Sequence, residues 1–189
     1  MYEMFDFKFP ISLSMTKLKL KVAGAFVMRN YVYSDERGFF SEEWGNEFGR
    51  LCNPFAIDNI CHSFNEKAGT VRGIHFQESP DEQGKIVSCI LGRVWDVVVD
   101  LRVGSPTFRK WDAIDMIGGQ GMSVFVPRGC GHGYATMEDG VVMSYLCDRP
   151  FVPESASAVR WNDPTLGITW PVKDPILSLK DRAAPFLPV

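Results

Sequence analysis

Short runs of β-branched and aromatic residues recur along the chain and are separated by Gly, Pro, Asp and Asn. Such runs are typical of β-strands, and turn residues separate them about every ten positions. This spacing favours an all-β domain built as a sandwich or a barrel. The predicted strands are residues 26–33, 56–64, 70–76, 85–91, 93–101, 111–117, 123–126, 133–136 and 141–146.

Helical periodicity is scarce. One short helix is predicted for residues 41–50, with Ser41 as its N-cap and Gly49 at its end. Seven prolines and two tryptophans lie between residues 150 and 189, which predicts an extended arm, packed on the domain, with a few helical turns. The 189 residues, without a repeat or a linker, predict one domain over 1–189, with a core at about 25–150 and the arm at 151–189.

Composition and charge indicate which binding partners and which cellular compartment fit the chain. A net charge of -3 offers no broad attraction for nucleic acid or anionic membrane, and no apolar run approaches the ~18 residues of a membrane span. Five scattered cysteines without a Cys-x-x-Cys pair favour reduced thiols over disulfides or a zinc ribbon. Residues 1–15 lack the features of a signal peptide. We therefore expect a cytoplasmic protein that binds neither nucleic acid nor membrane.

Three cationic side chains lie on adjacent predicted strands. Arg72 and His75 belong to the run 70–76, and Lys85 opens the next run. His75, between two apolar residues, is typical either of a satisfied core histidine or of a catalyst. A buried cationic patch needs an anion or a carboxylate to compensate its charge. With Tyr145 in a later strand and Asp181 near the C-terminus, the chain holds a base, an acid, an oxyanion partner and an orienting carboxylate by residue type.

Other polar positions indicate a site less directly. His132 lies in a glycine-rich turn between predicted strands, either as a pocket wall or as a hydrogen-bonded turn residue. Arg37 and Glu42 form a charged pair around a turn glycine, which a solvated turn would also show. Asp96 and Asp100 share one strand face, which is either solvated or lines a polar cavity inside the barrel.

A metal site at His75 is not expected. Small β-barrels that bind a metal often use a His-x-His pair and a later histidine, but the second position here is Gln77. An amide is a poor ligand for zinc or iron. Without a metal, the ammonium group of Lys85 has to supply the positive charge beside a developing oxyanion, a role for which lysine is well suited.

Nine segments, in order over about residues 25–185, resemble the dTDP-4-dehydrorhamnose 3,5-epimerase family of nucleotide-sugar enzymes. One such motif would carry little weight, whereas nine in the same order are specific. They are residues 35–40 (DERGFF), 71–77 (VRGIHFQ), 83–85 (QGK), 96–102 (DVVVDLR), 105–108 (SPTF), 127–133 (PRGCGHG), 161–164 (WNDP), 168–171 (ITWP) and 177–181 (LSLKD).

The resemblance implies a cupin-type jelly-roll barrel, usually a homodimer, that acts without metal or organic cofactor. The implied activity is an epimerase that inverts C3, C5 or both carbons of a nucleoside-diphospho-4-keto-6-deoxy sugar through an enolate. In the family pattern His75 is the general base and Asp181 its carboxylate partner. Lys85 stabilises the enolate oxygen, and Tyr145 donates a proton on the opposite face. The implied substrate-binding residues are Arg37, Glu42, Asn59, Arg72, Gln83, His132, Phe151 and Lys180.

Two positions depart from the family pattern. Phe151 stands where the family usually carries an aromatic hydroxyl, and Ala156 stands where it has a glutamate, with Glu154 nearby. The sequence does not choose between inversion at C3, at C5 or at both. Two alternatives are a 3,4-ketoisomerase on the same substrate class, with base and acid on one face, and a cupin-like nucleotide-sugar binding module without turnover.

Overall fold

The computed structural model describes residues 16–29, 31–52 and 54–188, in which the strands form two antiparallel sheets and a separate hairpin. The strands are β1 (Thr16–Lys19), β2 (Phe26–Arg29), β3 (Val32–Asp35), β4 (Gly38–Ser41), β5 (Asn59–Asn65), β6 (Val71–Gln77), β7 (Lys85–Leu91), β8 (Arg93–Asp100), β9 (Trp111–Ile117), β10 (Met122–Val126), β11 (Cys130–Thr136), β12 (Val141–Cys147) and β13 (Ala156–Ala158). Within the same residues the helices are α1 (Asn46–Leu51) and α2 (Leu179–Ala183).

The first sheet has the strand order β1-β2-β10-β7-β12-β5, and the second has the order β13-β6-β11-β8-β9. Side chains alternate along each strand, so every second residue points to the space between the sheets. Val87 of β7 and Met143 of β12 belong to one buried cluster with Val98 of β8 and Tyr134 of β11. Two antiparallel sheets that share one apolar core, with mostly non-consecutive strands as neighbours, are typical of a jelly roll, and the all-β prediction is confirmed.

Other segments cover the outer faces of both sheets. The chain after β4 packs Trp44 and Phe55 on Ile86 of the first sheet. The C-terminal arm packs Trp170 and other apolar residues on Val97 of the second sheet. The arm therefore supports, from behind, the sheet that carries His75. Within the described part of the chain, no helix is long and apolar enough to cross a membrane.

Strands with the predicted bounds occur at residues 85–91 and 111–117. The single strand predicted at 26–33 is wrong, because β2 ends at Arg29 and a new strand starts at Val32. The predicted helix start is also wrong: Ser41 ends β4, α1 begins at Asn46, and Gly49 lies inside the helix. Neither glycine nor proline separates β2 from β3, so the pattern along the chain did not reveal that break.

A β-bulge in β6 changes the direction of its side chains. His75 lies opposite His132 of β11, and Arg72 lies opposite Tyr134, so β6 takes three steps where β11 takes two. Strict alternation would place Arg72 and His75 on opposite faces of the sheet. The extra residue turns both side chains to the inside of the barrel.

Gly73 lies in this bulge and leaves no room for a side chain. A Cβ atom at Gly73 would lie 2.6 Å from the Cα of Gly133 and 2.8 Å from the carbonyl oxygen of His132, and the φ of Gly73 is 125°. We expect Gly73→Ala to lower the free energy of unfolding by roughly 2–6 kcal/mol, because a strained φ and a collision with backbone add up. Thermal unfolding followed by circular dichroism measures the effect.

Gly104→Ala is the matched control for Gly73→Ala. Gly104 also has a positive φ, 89°, but no atom lies within 4 Å of its added Cβ. Gly104→Ala should therefore lower the free energy of unfolding only through the strained backbone conformation, by about 1–2 kcal/mol. Equal melting temperatures for the two variants would show that the close approach of β6 and β11 does not matter.

Candidate active site

A cavity of about 560 Å³, the site cavity, opens between β6 of the second sheet, the start of β7 in the first sheet, and the C-terminal arm. Polar and charged side chains from all three parts of the chain line it. Seven of the predicted site residues are brought together in its lining: Arg72, His75, Gln83, Lys85, Phe151, Lys180 and Asp181.

His75 and Asp181 form a hydrogen-bonded pair in the site cavity. The Nε2 atom of His75 contacts Oδ1 of Asp181, which is buried. Burial raises the pKa of Asp181, but its hydrogen bonds to His75 and Ser178 and the nearby charge of Arg72 together hold the pKa below its usual value. An ionised carboxylate can only accept, so Nε2 of His75 donates and Nδ1 keeps a free lone pair. His75 therefore has the tautomer of a general base.

Two hydrogen bonds with Ser178 hold Asp181 in place. Ser178 is the N-cap of α2: its Oγ accepts from the backbone N–H of Asp181 at 3.0 Å and donates to Oδ2 of Asp181 at 2.9 Å. The Ser-x-x-Asp spacing lets one hydroxyl cap the helix and also bind the carboxylate three residues further on. Ser178 thus fixes the orientation of the Asp181 carboxylate, which in turn orients the His75 ring. This role of Ser178 was not predicted, although the Ser-x-x-Asp spacing is visible in the sequence.

Lys85 lies in the site cavity without a counter-ion. Among the described residues it makes no hydrogen bond or ion pair, and burial lowers its pKa. Its cross-strand partner is Cys147, and burial raises the pKa of the Cys147 thiol to about 11, so this thiol is neutral at physiological pH. An ammonium group in this environment gains most from an anion that arrives with a ligand.

Arg72 is held at the inner side of the cavity. Its Nε donates to Oδ1 of Asn65 at 2.7 Å, and one terminal nitrogen donates to the carbonyl of Phe64 at 3.2 Å. Asn65 is buried at the end of β5 and donates its own amide to the carbonyl of Val141. The Arg72 guanidinium is thereby fixed, and its remaining N–H groups have no partner in the part of the chain that the structure describes.

His132 and Asp96 form a second histidine–carboxylate pair, deeper in the barrel. Nε2 of His132 lies 2.7 Å from Oδ2 of Asp96. The predicted turn around His132 is wrong, because this residue lies within β11. Asp96 and Asp100 are both fully buried, so the alternative of a solvated strand face is wrong as well. Asp100 serves a loop, where it binds Arg102 and two hydroxyl groups.

Tyr145 lies behind the site cavity rather than in its lining. Its ring packs against His132, with the centroids 6.2 Å apart, and His132 is the cross-strand neighbour of His75. The Tyr145 hydroxyl lies 3.0 Å from Oγ of Ser63 and 3.1 Å from the hydroxyl of Tyr134. Because β12 belongs to the first sheet and β6 to the second, Tyr145 and His75 approach the space between them from opposite sides.

Besides His132, three predicted binding residues lie outside the lining of the site cavity. Asn59, at the start of β5, donates to the carbonyl of Arg149 at 3.3 Å. Arg37 pairs with Asp35 at 2.6 Å rather than with Glu42, so the predicted charged pair is wrong. Arg37 and Glu42 are both exposed, the former in the turn of the β3–β4 hairpin and the latter just after it.

The remaining predicted residues form the rim and wall. Gln83 is buried and donates to the carbonyl of Arg149 at 2.6 Å, so it shapes the wall. Phe151 and Lys180 are exposed at the rim. Gln77 donates to the carbonyl of Asp81 at 2.7 Å and accepts from the backbone N–H of Val152 at 2.8 Å, so its amide supports the backbone around the cavity.

Comparison with known proteins supplies the family. The family model described as dTDP-4-dehydrorhamnose 3,5-epimerase matches residues 19–188. The chain belongs to this family. A dTDP-4-dehydrorhamnose 3,5-epimerase from Sinorhizobium fredii is 37% identical over 170 residues, which are 89% of this chain and 87% of the relative. This member of the family is thus an epimerase, as the resemblance predicted.

Solved structures of epimerases share the fold. The dTDP-4-dehydrorhamnose 3,5-epimerase of Bacillus anthracis, with TDP and PPi bound, matches with a TM-score of 0.87 and 34% identity over 92% of this chain and 100% of that chain. A 3'-monoepimerase from Streptomyces bikiniensis, in complex with dTDP-quinovose, has a TM-score of 0.82 and 32% identity over 89% of this chain and 86% of its own. The prediction of a cupin-type epimerase fold is confirmed.

Proposed function

We propose that the protein inverts C3, C5 or both carbons of a nucleoside-diphospho-4-keto-6-deoxy sugar, most like the dTDP-sugars of its relatives. One observation carries the proposal: His75 is paired with ionised Asp181 in the same cavity as Lys85, which has no counter-ion among the described residues. A base next to an unpaired ammonium group is what the removal of a proton beside a ketone requires.

The first step is removal of the proton from the carbon next to the C4 carbonyl. The free Nδ1 of His75 takes the proton, and Asp181 stabilises the imidazolium that forms. Lys85 donates a hydrogen bond to the carbonyl oxygen, which becomes the enolate oxygen. Arg72 holds the sugar or the adjacent phosphate between these two groups.

The second step returns a proton to the other face of the same carbon. Tyr145 comes from the sheet opposite His75, so a sugar ring placed between the sheets would have the base on one face and the acid on the other. Epimerisation needs this arrangement, whereas a 3,4-ketoisomerase needs base and acid on one face. The position of Tyr145 therefore supports epimerisation over the ketoisomerase alternative.

The choice of carbon depends on the wall near Phe151. Phe151 and Ala156 line the site cavity, while Glu154 is exposed and does not line it. Neither of the two lining residues offers a hydroxyl or a carboxylate to the sugar. The relatives include both a 3,5-epimerase and a 3'-monoepimerase. We propose inversion at C3, and exchange measured carbon by carbon shows whether C5 is inverted as well.

A homodimer completes the substrate site. The outer face of the edge strand β5 exposes Ile60 by 56% and Phe64 by 63%, and Leu91 beside them is 59% exposed. An apolar patch of this kind on a folded chain marks an interface. Arg37, in the turn of the β3–β4 hairpin, and Glu42, just after it, lie outside the lining of the chain's own cavity, where they could reach the nucleotide bound by a second copy.

Light scattering tests the dimer. We expect twice the chain mass of 21.3 kDa, and we expect Phe64→Asp to produce monomers. Val103→Asp is the control, because Val103 is an equally apolar residue, 88% exposed, in the loop after β8. A monomer before substitution would rule out the shared site.

The reaction is proposed to need neither metal nor organic cofactor and to take place in the cytoplasm. The amide of Gln77, at the position of a possible second metal ligand, is committed to backbone groups. Lys85 supplies the charge that a metal would otherwise provide. All five cysteines are free thiols, which suits a reducing compartment.

Solvent deuterium exchange tests the proposed function. The protein is incubated in heavy water with a panel of nucleoside-diphospho-4-keto-6-deoxy sugars, and exchange and inversion are read at each carbon by NMR, before and after exhaustive chelation. We expect exchange and inversion at C3, with or without C5, at the same rate after chelation. The absence of exchange from every panel member would contradict the proposal, and restoration by a specific ion would contradict metal independence.

A further inference from the structure

Three hydroxyl groups form a closed triangle inside the barrel. The Tyr145 hydroxyl lies 3.0 Å from Oγ of Ser63 and 3.1 Å from the Tyr134 hydroxyl, and Ser63 and Tyr134 are 2.9 Å apart. Tyr134 is 2% exposed, so its hydroxyl has to find partners within the protein. Of the three residues, only Tyr145 takes part directly in the proposed proton transfers.

Asn65 sets the direction of the hydrogen bonds in the triangle. Arg72 can only donate, so the Asn65 atom 2.7 Å from its Nε is the amide oxygen. The same oxygen accepts from the Tyr134 hydroxyl at 3.2 Å. The Tyr134 oxygen is then free to accept from Tyr145, and the Ser63 hydroxyl is free to donate to Tyr145.

After Tyr145 loses its proton, its negatively charged oxygen needs hydrogen-bond donors from the other two hydroxyl groups. Burial raises the pKa of Tyr145 above its usual value, so an isolated tyrosine in this position is a weak acid. The Ser63 hydroxyl is within hydrogen-bonding distance of the Tyr145 oxygen and can donate to it. Tyr134 can rotate its proton from Asn65 to Tyr145, since the Asn65 oxygen keeps its bond to Arg72. Two hydroxyl donors would then stabilise the tyrosinate.

We propose that Ser63 and Tyr134 are positioning residues of the epimerase reaction, which hold Tyr145 and stabilise its tyrosinate after it protonates the sugar carbon. In that step the Tyr145 O–H bond breaks, the electron pair of the enolate forms the new C–H bond, and the C4 carbonyl is restored. Water afterwards returns a proton to the tyrosinate, and the imidazolium of His75 gives its proton to water. The inference rests on the proposed function of Tyr145.

The test compares Tyr134→Phe and Ser63→Ala with the parent protein in heavy water. Loss of a hydrogen bond to a charged group is expected to slow inversion by about 10- to 100-fold. Exchange with retained configuration continues, because His75 and Lys85 suffice for proton removal. The ratio of exchange to inversion therefore rises, while KM stays within about twofold. Ser63→Thr, which keeps a hydroxyl, is expected to return the ratio to that of the parent.

Ser88→Ala is the matched control, because Ser88 is a buried serine on the outer face of the first sheet, bonded to Ser123 at 2.8 Å and distant from the site cavity. It should leave the ratio unchanged. A purely structural role for Ser63 and Tyr134 would lower exchange and inversion together, and an unchanged ratio in both variants overturns the inference. Should Tyr134→Phe not fold, Ser63→Ala and Ser63→Thr decide alone.

Tyr145→Phe, measured in parallel, separates the two proposals. Normal inversion in Tyr145→Phe would remove the acid and the inference together. If that variant blocks inversion while Tyr134→Phe and Ser63→Ala keep the parental ratio, the proposed function stands and only the inference fails.

Discussion

Replacement of His75 by alanine is expected to reduce deuterium exchange at every carbon of the sugar by about 10²–10⁴-fold, the usual effect of removing a general base. Without Nδ1 of His75 no enolate forms, so inversion and exchange should fall by the same factor. The loss should appear in kcat rather than in KM, since Arg72 and Lys85 remain. Measurement of exchange by NMR in heavy water gives both rates in one experiment.

Asp181→Asn is expected to have a smaller effect on the rate than His75→Ala. Asp181→Asn keeps a polar group at the cap of α2 but cannot stabilise the imidazolium, so its rate should fall by less than that of His75→Ala. Circular dichroism checks that both variants are folded. More than about a tenth of the parental rate in His75→Ala would remove this residue from the base role, and a parental rate in Asp181→Asn would contradict the dyad.

Tyr145→Phe should have the opposite signature, with inversion lost and exchange spared. If Tyr145 only returns a proton from the far face, its removal leaves proton abstraction to His75 and Lys85. Deuterium then enters the reacting carbon with the original configuration retained. General-acid removal costs on the order of 10²–10⁴-fold, and this loss should be confined to inversion.

Two results would contradict the assignment of Tyr145. Normal inversion in Tyr145→Phe would place the acid elsewhere. Equal loss of exchange and inversion would mean that Tyr145 serves binding or enolisation, and the division of labour between the two sheets would be unsupported. The comparison with His75→Ala is therefore the decisive one, because the two variants are expected to differ in the ratio of the two rates.

The sequence was sufficient for much of the strand pattern. Lys85–Leu91 and Trp111–Ile117 have the predicted bounds, because a buried strand needs a continuous apolar and β-branched run between turn residues, and such a run is a local property. The same local character explains the errors at Arg29 and Ser41, because residue types alone do not show where one element ends and the next begins.

The sequence also supplied the residue types of the site. His75, Lys85, Tyr145 and Asp181 were selected by chemistry and by resemblance. Only the tertiary structure brought His75 to Asp181, which is 106 positions away, and Tyr145 to Ser63, which is 82 positions away. No periodicity along a strand carries such information, because cross-strand register depends on pairing between distant segments.

The direction of individual side chains was likewise decided by the folded chain. Alternation in β6 predicts opposite faces for Arg72 and His75, and the bulge at Gly73, where β11 approaches closely, turns both inward. Arg37 forms its ion pair with Asp35 rather than Glu42, because the hairpin turn brings Asp35 close to it. The sequence by itself determined an all-β chain with the groups needed for proton transfer beside a carbonyl, because composition and spacing are local. The tertiary structure decided which of those groups meet, because only pairing between distant strands places His75 in one sheet and Tyr145 in the other.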